Sequence, residues 1–193
     1  MKKITSVILA IALIFALAVT AMAAEIADCT VSADSVSATA GGTVTVPIRI
    51  SGNRGFTNFG IALDYDREQL ELLSIQTAEG ETPYLCGTTV AVNTQWTGTD
   101  EKTFGYVTAA LEEAATADGI LFTATFRVSG DFSGTAAVQP VVQYMRSNKR
   151  LLSVFDAIPV TTVSGTVSTV LVGDYDQNGT VNALDVMGLY RAV

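Results

Sequence analysis

The middle of the chain, from about residue 27 to residue 170, repeats a strand-and-turn rhythm that restricts the fold more than any other feature. In residues 43–50 polar and apolar side chains alternate, which predicts a strand with one buried and one solvated face. Residues 51–55 then read as a glycine-containing turn. Further alternating segments are residues 59–63, 121–128, 138–144 and 160–170. Many short strands with glycine-rich turns predict an all-β protein, an antiparallel sandwich or barrel. The one helical feature predicted in this region is a single turn after a strand, N-capped by Asp66.

The N-terminus has the three parts of a secretory signal peptide. Lys2 and Lys3 precede the apolar residues 7–19, and Ala21 and Ala23 provide a small-residue cleavage site. The apolar run is shorter than the roughly 20 residues that a transmembrane helix needs. We therefore expect residues 1–23 to be removed and the mature protein to be secreted, with no membrane attachment after cleavage.

The charge of the mature chain argues against nucleic acid as a partner. Removal of Lys2 and Lys3 leaves 9 of the 11 basic residues against 19 acidic ones, a net charge of −10. Phosphate backbones require the opposite sign. An exported chain also permits Cys29 and Cys86 to pair as a disulfide, although two separately buried thiols fit the sequence as well.

Catalysis is disfavoured by the absence of histidine from the sequence, because histidine is the most common general base. Carboxylate pairs that cleave glycosides remain available in Asp64 with Asp66 and in Glu112 with Glu113. Adjacent acids on a strand or turn are more typical of solvated surface. The sequence therefore predicts a protein that is not an enzyme.

The C-terminal segment carries a calcium-loop signature. Oxygen-bearing residues recur at the spacing that converges on one hard cation, with Gly179 at the sharp turn. The predicted Ca²⁺ ligands are Asp174, Asp176, Asn178, Thr180, Asn182 and Asp185. The residues that follow place Val186, Leu189 and Tyr190 on one face of a short helix. We expect an EF-hand-like calcium loop-helix here.

Residues 27–170 resemble a cohesin domain, the receptor module of cellulosome scaffoldins. Three stretches carry the resemblance in the expected order, namely residues 40–47, 63–70 and 118–122 leading into Phe126. The resemblance implies a sandwich of jelly-roll topology with one sheet face that binds a dockerin. It places Asn58 and Glu112 on that face, although both side chains also suit a merely soluble strand surface. Gly60 stands where the commonest cohesin type has an acidic residue.

Residues 171–193 resemble the first of the two repeats of a dockerin. Aspartate rather than glutamate at the last loop position, Asp185, is typical of that family. The resemblance implies partner contacts through Ala183, Leu184, Met187 and Arg191. The alternative is that Leu184 and Met187 pack against a second repeat. Because the given sequence ends within the first helix, we expect an incomplete dockerin that binds calcium weakly.

Together these features predict a secreted, non-catalytic adaptor that supports polysaccharide degradation. Its cohesin-like face would receive a dockerin-bearing enzyme or protein, and its own calcium-dependent tail would bind a cohesin-bearing scaffold or cell-surface protein. The alternative is a carbohydrate-binding sandwich carried by a dockerin, with polysaccharide as the partner. Such a module needs aromatic platforms, for which Trp96, Tyr84 and Tyr106 are the candidates.

Overall fold

The computed structural model describes residues 29–99, 103–147 and 157–169. These residues form strands joined by turns and loops, as the alternating pattern predicts. The strands are β1 (Cys29–Ala33), β2 (Val36–Ala38), β3 (Thr43–Ser51), β4 (Phe56–Tyr65), β5 (Leu70–Gln76), β6 (Ala78–Glu79), β7 (Thr82–Pro83), β8 (Val90–Thr97), β9 (Thr103–Ala115), β10 (Gly119–Val128), β11 (Thr135–Arg146), β12 (Val160–Val163) and β13 (Gly165–Thr169). In the part of the chain described, no helix has the length and apolar character needed to cross a membrane.

The strands build a two-layer sandwich. One sheet has the order β12-β1-β3-β10-β5, the other has the order β2-β13-β11-β4-β9-β8, and β6 and β7 form a small separate ribbon. The prediction of an all-β sandwich is confirmed. The pairing is antiparallel except that β1 runs parallel to β12 and β2 runs parallel to β13. Both exceptions arise because β1–β2 and β12–β13 each pass from one sheet to the other and travel side by side in the same direction.

The core lies between the two sheets and consists of the apolar side chains that alternate along each strand. Val46 and Ile48 of β3 and Phe126 of β10 are completely buried. The ring of Tyr65 meets that of Phe126 edge-on, with ring centroids 4.9 Å apart. Removal of these surfaces from water provides most of the driving force for the fold.

Asp66 closes the turn after β4, as the sequence predicts. Its carbonyl accepts a hydrogen bond from the Leu70 amide at 2.8 Å, and its carboxylate accepts one from the Glu68 amide at 2.9 Å. The first bond has the spacing of one α-helical turn, and the second satisfies an amide that has no partner within such a turn.

A second aspartate ties two turns together at one end of β4. The Asp118 carboxylate accepts hydrogen bonds from the amides of Gly52 and Asn53, at 3.2 and 2.9 Å. The Asn53 side-chain amide in turn donates to the carbonyls of Ala115 and Ala117, at 3.0 and 2.7 Å. The β3–β4 turn is therefore fastened to the β9–β10 turn, which fixes how β4 and β9 lie beside each other.

Both cysteines are buried and free. The Cys86 thiol lies 3.4 Å from the Thr77 carbonyl, to which it donates a hydrogen bond. Burial raises the pKa of Cys86 to about 11 and also raises the pKa of Cys29. Of the two possibilities that the sequence left open, the structure has the separately buried thiols.

Candidate binding face

The outward side of the six-stranded sheet carries the most distinctive surface among the described residues. Phe59 and Ile61 of β4 are completely buried in the core, so Gly60 between them faces the opposite side of the sheet. Thr108 of β9 and Tyr144 of β11 lie directly opposite Gly60 on the neighbouring strands. We call six residues on this side of β4, β9 and β11 the tyrosine patch: Gly60, Ala62, Tyr106, Thr108, Tyr144 and Arg146.

Two tyrosine rings cover the bare backbone at the centre of the tyrosine patch. A β-carbon on Gly60 would overlap the hydroxyl oxygen of Tyr106 and would lie 2.5 Å from Cε1 of Tyr144. The neighbouring Ala62, which pairs with Tyr106, is completely buried although it faces away from the core. Glycine at position 60 is therefore the condition that lets both rings close over β4.

The hydroxyl groups of the tyrosine patch bond to one another. Tyr144 and Thr108 share a hydrogen bond of 2.8 Å between their hydroxyl oxygens. Burial, together with a hydrogen bond and electrostatic interaction with Tyr144, raises the pKa of Tyr106 to about 12. The Tyr106 phenol therefore stays protonated at neutral pH.

Trp96 extends the tyrosine patch on the side of Tyr106, and Arg146 forms its edge beside Tyr144. The ring of Trp96 lies 5.2 Å from that of Tyr106 between centroids, with the two planes tilted by 33°. The guanidinium carbon of Arg146 lies 5.1 Å from the centroid of the Tyr144 ring, within cation–π range. Trp96, Tyr106 and Tyr144 are all partly exposed, so this aromatic surface remains in contact with solvent.

Irregularities in strand pairing direct these aromatic side chains to one side. Between Ala62 and Leu63 the pairing with β9 shifts, and Gly105 adopts a left-handed backbone with φ of 64°. Phe104 consequently faces the core while Tyr106, two residues later, faces outward. A shift between Val142 and Tyr144 turns Tyr144 outward in the same way.

The two residues that the cohesin resemblance placed on the partner face occupy different environments. Asn58 lies on the outward side of β4, opposite Ala110 and Arg146, but it is only 3% exposed. It is therefore not a residue that keeps the surface soluble. Glu112 is exposed near the end of β9, in the irregular stretch between the pairs Asn58–Ala110 and Phe56–Ala115. Whether either contacts a partner stays a prediction.

Of the three proposed aromatic platform residues, two lie together. Trp96 and Tyr106 are in ring contact, whereas Tyr84 belongs to a segment that binds the other sheet through the amide of Leu85 and the carbonyl of Ile120. The third aromatic residue of this surface is Tyr144, which the sequence did not indicate. Alternation over residues 138–144 would place Tyr144 in the core, so the sequence carried no signal for its outward position.

A groove of about 260 Å³ opens beside Trp96, between β5 and β8. Its lining includes Trp96, Gln95, Arg67 and Glu71. The Arg67 guanidinium carbon lies 4.3 Å from the centroid of the Phe104 ring and so covers this end of the core. The groove therefore combines the aromatic ring of Trp96 with hydrogen-bond donors and hydrogen-bond acceptors.

The carboxylate pairs considered for glycoside cleavage have structural surroundings of an ordinary kind. Asp66 is exposed and caps its own turn, while Asp64 is partly exposed on β4. Glu112 and Glu113 are neighbours on an exposed stretch of β9. None of these four residues lines the groove beside Trp96.

Among the residues that the structure describes, no group of three histidine, cysteine or acidic side chains is placed to hold a metal ion. The predicted calcium loop and its six ligands, the partner residues Ala183, Leu184, Met187 and Arg191, and the signal peptide over 1–23 lie outside the described residues. These remain predictions from the sequence.

The two sheets form an all-β sandwich domain with an aromatic surface on one sheet. The sequence profile described as "Cohesin domain" matches residues 29–169, which is more than half of the chain. The chain therefore belongs to the cohesin family. No curated protein sequence matches it.

Solved cohesin structures share this fold. The OlpA cohesin in a type I cohesin–dockerin complex from Clostridium thermocellum is similar with a TM-score of 0.59 at 17% identity, covering 74% of this chain and 99% of that one. The third ScaC cohesin of Acetivibrio cellulolyticus, in complex with the ScaB dockerin, gives a TM-score of 0.58 at 17% identity, covering 74% and 99%. A non-cellulosomal cohesin from the archaeon Archaeoglobus fulgidus gives 0.58 at 20% identity, covering 78% and 96%.

Proposed function

We propose that this protein is a secreted, non-catalytic adaptor whose cohesin domain binds a dockerin through the tyrosine patch. The observation that carries the proposal is that a chain of the cohesin family presents a partly exposed Trp–Tyr–Tyr surface on one sheet. Tryptophan, tyrosine and arginine are the residues most enriched at the energetic centres of protein interfaces. The tyrosine patch with Trp96 supplies all three types side by side.

The similar structures agree with a binding function. The OlpA and ScaC cohesins are each solved in complex with a dockerin, which is a separate protein module. A sheet face that receives such a module gains from rigid side chains, because ordering flexible ones on binding costs free energy. Tyr106 and Tyr144 meet this condition, since they are held by each other and by Thr108.

The second half of the proposal concerns the C-terminal tail. We propose that residues 171–193 form a calcium loop-helix that binds a cohesin-bearing scaffold or cell-surface protein, with Ca²⁺ ordering the loop. Its support is the spacing of the six oxygen donors from Asp174 to Asp185. Because the ligands converge only when the loop is folded, metal binding and folding of the tail are coupled. The chain would then join an enzyme to a larger polysaccharide-degrading assembly.

The cohesin part is tested by screening the full chain against an array of purified, calcium-loaded dockerins. We expect at least one dockerin to bind, and we expect Arg146→Ala to weaken that complex. Arg127→Ala is the matched control, because Arg127 is an exposed arginine on the opposite sheet, paired with Glu71 at 2.9 Å. Binding that is equally weakened by both substitutions would place the interface elsewhere, and binding to no dockerin would reject the proposed function.

The groove beside Trp96 keeps carbohydrate binding as the second candidate function. Sugars stack on aromatic rings and accept hydrogen bonds from groups such as Arg67 and Gln95, both of which line the groove. A pull-down of the full chain on insoluble cellulose and on xylan tests this candidate. Retention that is lost in Trp96→Ala would favour it, whereas recovery of all the protein in the unbound fraction would reject it.

A further inference from the structure

The composition of the tyrosine patch restricts the chemistry of the partner, if the patch is the dockerin face as proposed above. We infer that it selects a dockerin that places an aliphatic side chain against the rings of Tyr106 and Tyr144 and a carboxylate beside Arg146. The inference rests on the shape at Gly60, the internal bonding of the hydroxyls and the position of the guanidinium.

The centre of the tyrosine patch offers a partner ring surface instead of ionised groups. Gly60 and Ala62 provide only backbone and a methyl group, and both lie beneath the tyrosine rings. An acidic side chain at position 60 would force both tyrosine rings to move, since its β-carbon would overlap the Tyr106 hydroxyl oxygen. A partner cannot therefore obtain a charged acceptor from the middle of this strand.

The hydroxyl groups already form hydrogen bonds within the tyrosine patch, so a polar partner gains little free energy by bonding to them. Tyr144 bonds to Thr108 at 2.8 Å and also interacts with Tyr106 through a hydrogen bond. A hydroxyl-bearing partner side chain would have to compete with these bonds to gain its own, and the net gain of such an exchange is small. An aliphatic side chain gives up no hydrogen bond when it binds at this surface, and it removes apolar ring area from water.

Arg146 supplies the charge that the centre lacks. It stands beside the Tyr144 ring and opposite Asn58, at the edge of the two-ring surface. Two ion pairs occur among the described residues, Asp34 with Arg49 and Glu71 with Arg127. Neither of them includes Arg146. A partner carboxylate next to the aliphatic contact would pair with Arg146 and fix the register of the bound helix.

The test uses one calcium-loaded, two-repeat dockerin prepared with different residues at the contact positions of its recognition helix. The three versions carry leucine with glutamate, leucine with lysine, and threonine with lysine. Binding of each to the full chain is measured by isothermal titration calorimetry. We expect the leucine–glutamate version to bind about tenfold or more tighter than the threonine–lysine version, as loss of a central contact commonly causes.

Variants of the full chain separate ring contact from hydroxyl bonding. Tyr106→Phe with Tyr144→Phe keeps both rings and should leave the affinity for the leucine–glutamate version within about threefold, whereas Tyr106→Ala should lower it about tenfold. Thermal unfolding of each variant confirms that it is folded at the temperature of the titration. Arg146→Gln should abolish the preference for glutamate over lysine, and Arg127→Gln should leave that preference intact.

The outcomes distinguish this inference from the proposed function on which it rests. Tightest binding by the threonine–lysine version, or an equal loss of affinity in the phenylalanine and alanine variants, would overturn the inference while dockerin binding stands. If none of the three versions binds and the dockerin array also finds no partner, both fail. Concentration-dependent association of the full chain that Tyr106→Ala abolishes would assign the patch to a second copy of this protein instead and would also overturn the inference.

Discussion

The hydroxyl of Tyr106 occupies the space directly above Gly60 that a β-carbon at that position would need. The ring of Tyr144 closes the same space from the neighbouring strand, and the two phenols interact through their hydroxyls. Shape, hydrogen bonding and aromatic surface at the centre of this face therefore depend on one another.

Substitution of Gly60 by alanine should destabilise the domain and disturb the binding face together. The added methyl forces both rings outward, and overpacking of this kind costs about 1–3 kcal/mol. Urea denaturation of wild type and variant measures the difference. Gly130→Ala is the control, because no atom lies within 4 Å of the position that its β-carbon would take. Equal stability of Gly60→Ala and wild type would show that the rings do not cover β4 in solution.

The pKa of Tyr106 predicts a loss of stability at alkaline pH. Its folded-state pKa is raised to about 12 from the ordinary value of 10.0, so the unfolded chain releases this proton first as the pH rises. The stabilising contribution is complete below pH 10.0 and is lost as the pH rises toward 12. Tyrosinate absorbance should show a late-titrating phenol that is missing from Tyr106→Phe. A variant that titrates like wild type would contradict this assignment.

The two buried thiols should react slowly with thiol reagents in the native state and should not be joined in a disulfide. With guanidinium chloride present, a thiol-specific chromogenic reagent should detect both cysteines of protein purified without reductant. In the native state the reaction should be slow, because burial and a pKa of about 11 leave little thiolate at Cys86. Recovery of no thiol from the denatured, unreduced protein would instead establish a disulfide between Cys29 and Cys86.

Asp118→Ala should lower stability by about 1–3 kcal/mol, since the amides of Gly52 and Asn53 lose their hydrogen-bond acceptor. Glu113→Ala, which changes an exposed carboxylate on β9, is the matched control and should leave stability nearly unchanged. Chemical denaturation of the two variants gives the comparison. If both lie within error of wild type, the two turns are not fastened by Asp118.

Calcium should act on the tail and not on the sandwich. Titration calorimetry should detect calcium binding by the full chain, and Asp174→Ala should abolish it by removing the first predicted ligand. Chelation should leave the unfolding temperature of the cohesin domain unchanged, because no metal-binding cluster occurs among its described residues. Calcium binding that persists in Asp174→Ala would contradict the predicted loop.

Much of the sandwich could be read from alternation alone. The pattern in residues 43–50 predicts a strand that the structure extends over Thr43–Ser51, and Asp66 caps the turn where its sequence position suggests. Alternation reports which side chains share a face within one strand. It does not report which strands become neighbours, so the parallel pairs β1–β12 and β2–β13 were not predictable from it.

Three conclusions follow from the amino-acid order alone: the all-β class, the family resemblance through residues 40–47, 63–70 and 118–122, and a glycine at position 60 where the commonest cohesin type has an acidic residue. Only the folded chain shows that two tyrosine rings take the place of that acidic side chain. Strict alternation from Val138 would turn Tyr144 toward the core, and strict alternation from Phe104 would do the same to Tyr106. One shifted residue in each strand reverses the side chains that follow, because successive residues point to opposite faces of a sheet. The position of each shift depends on how two strands pair, so it cannot be predicted from the sequence of one strand alone.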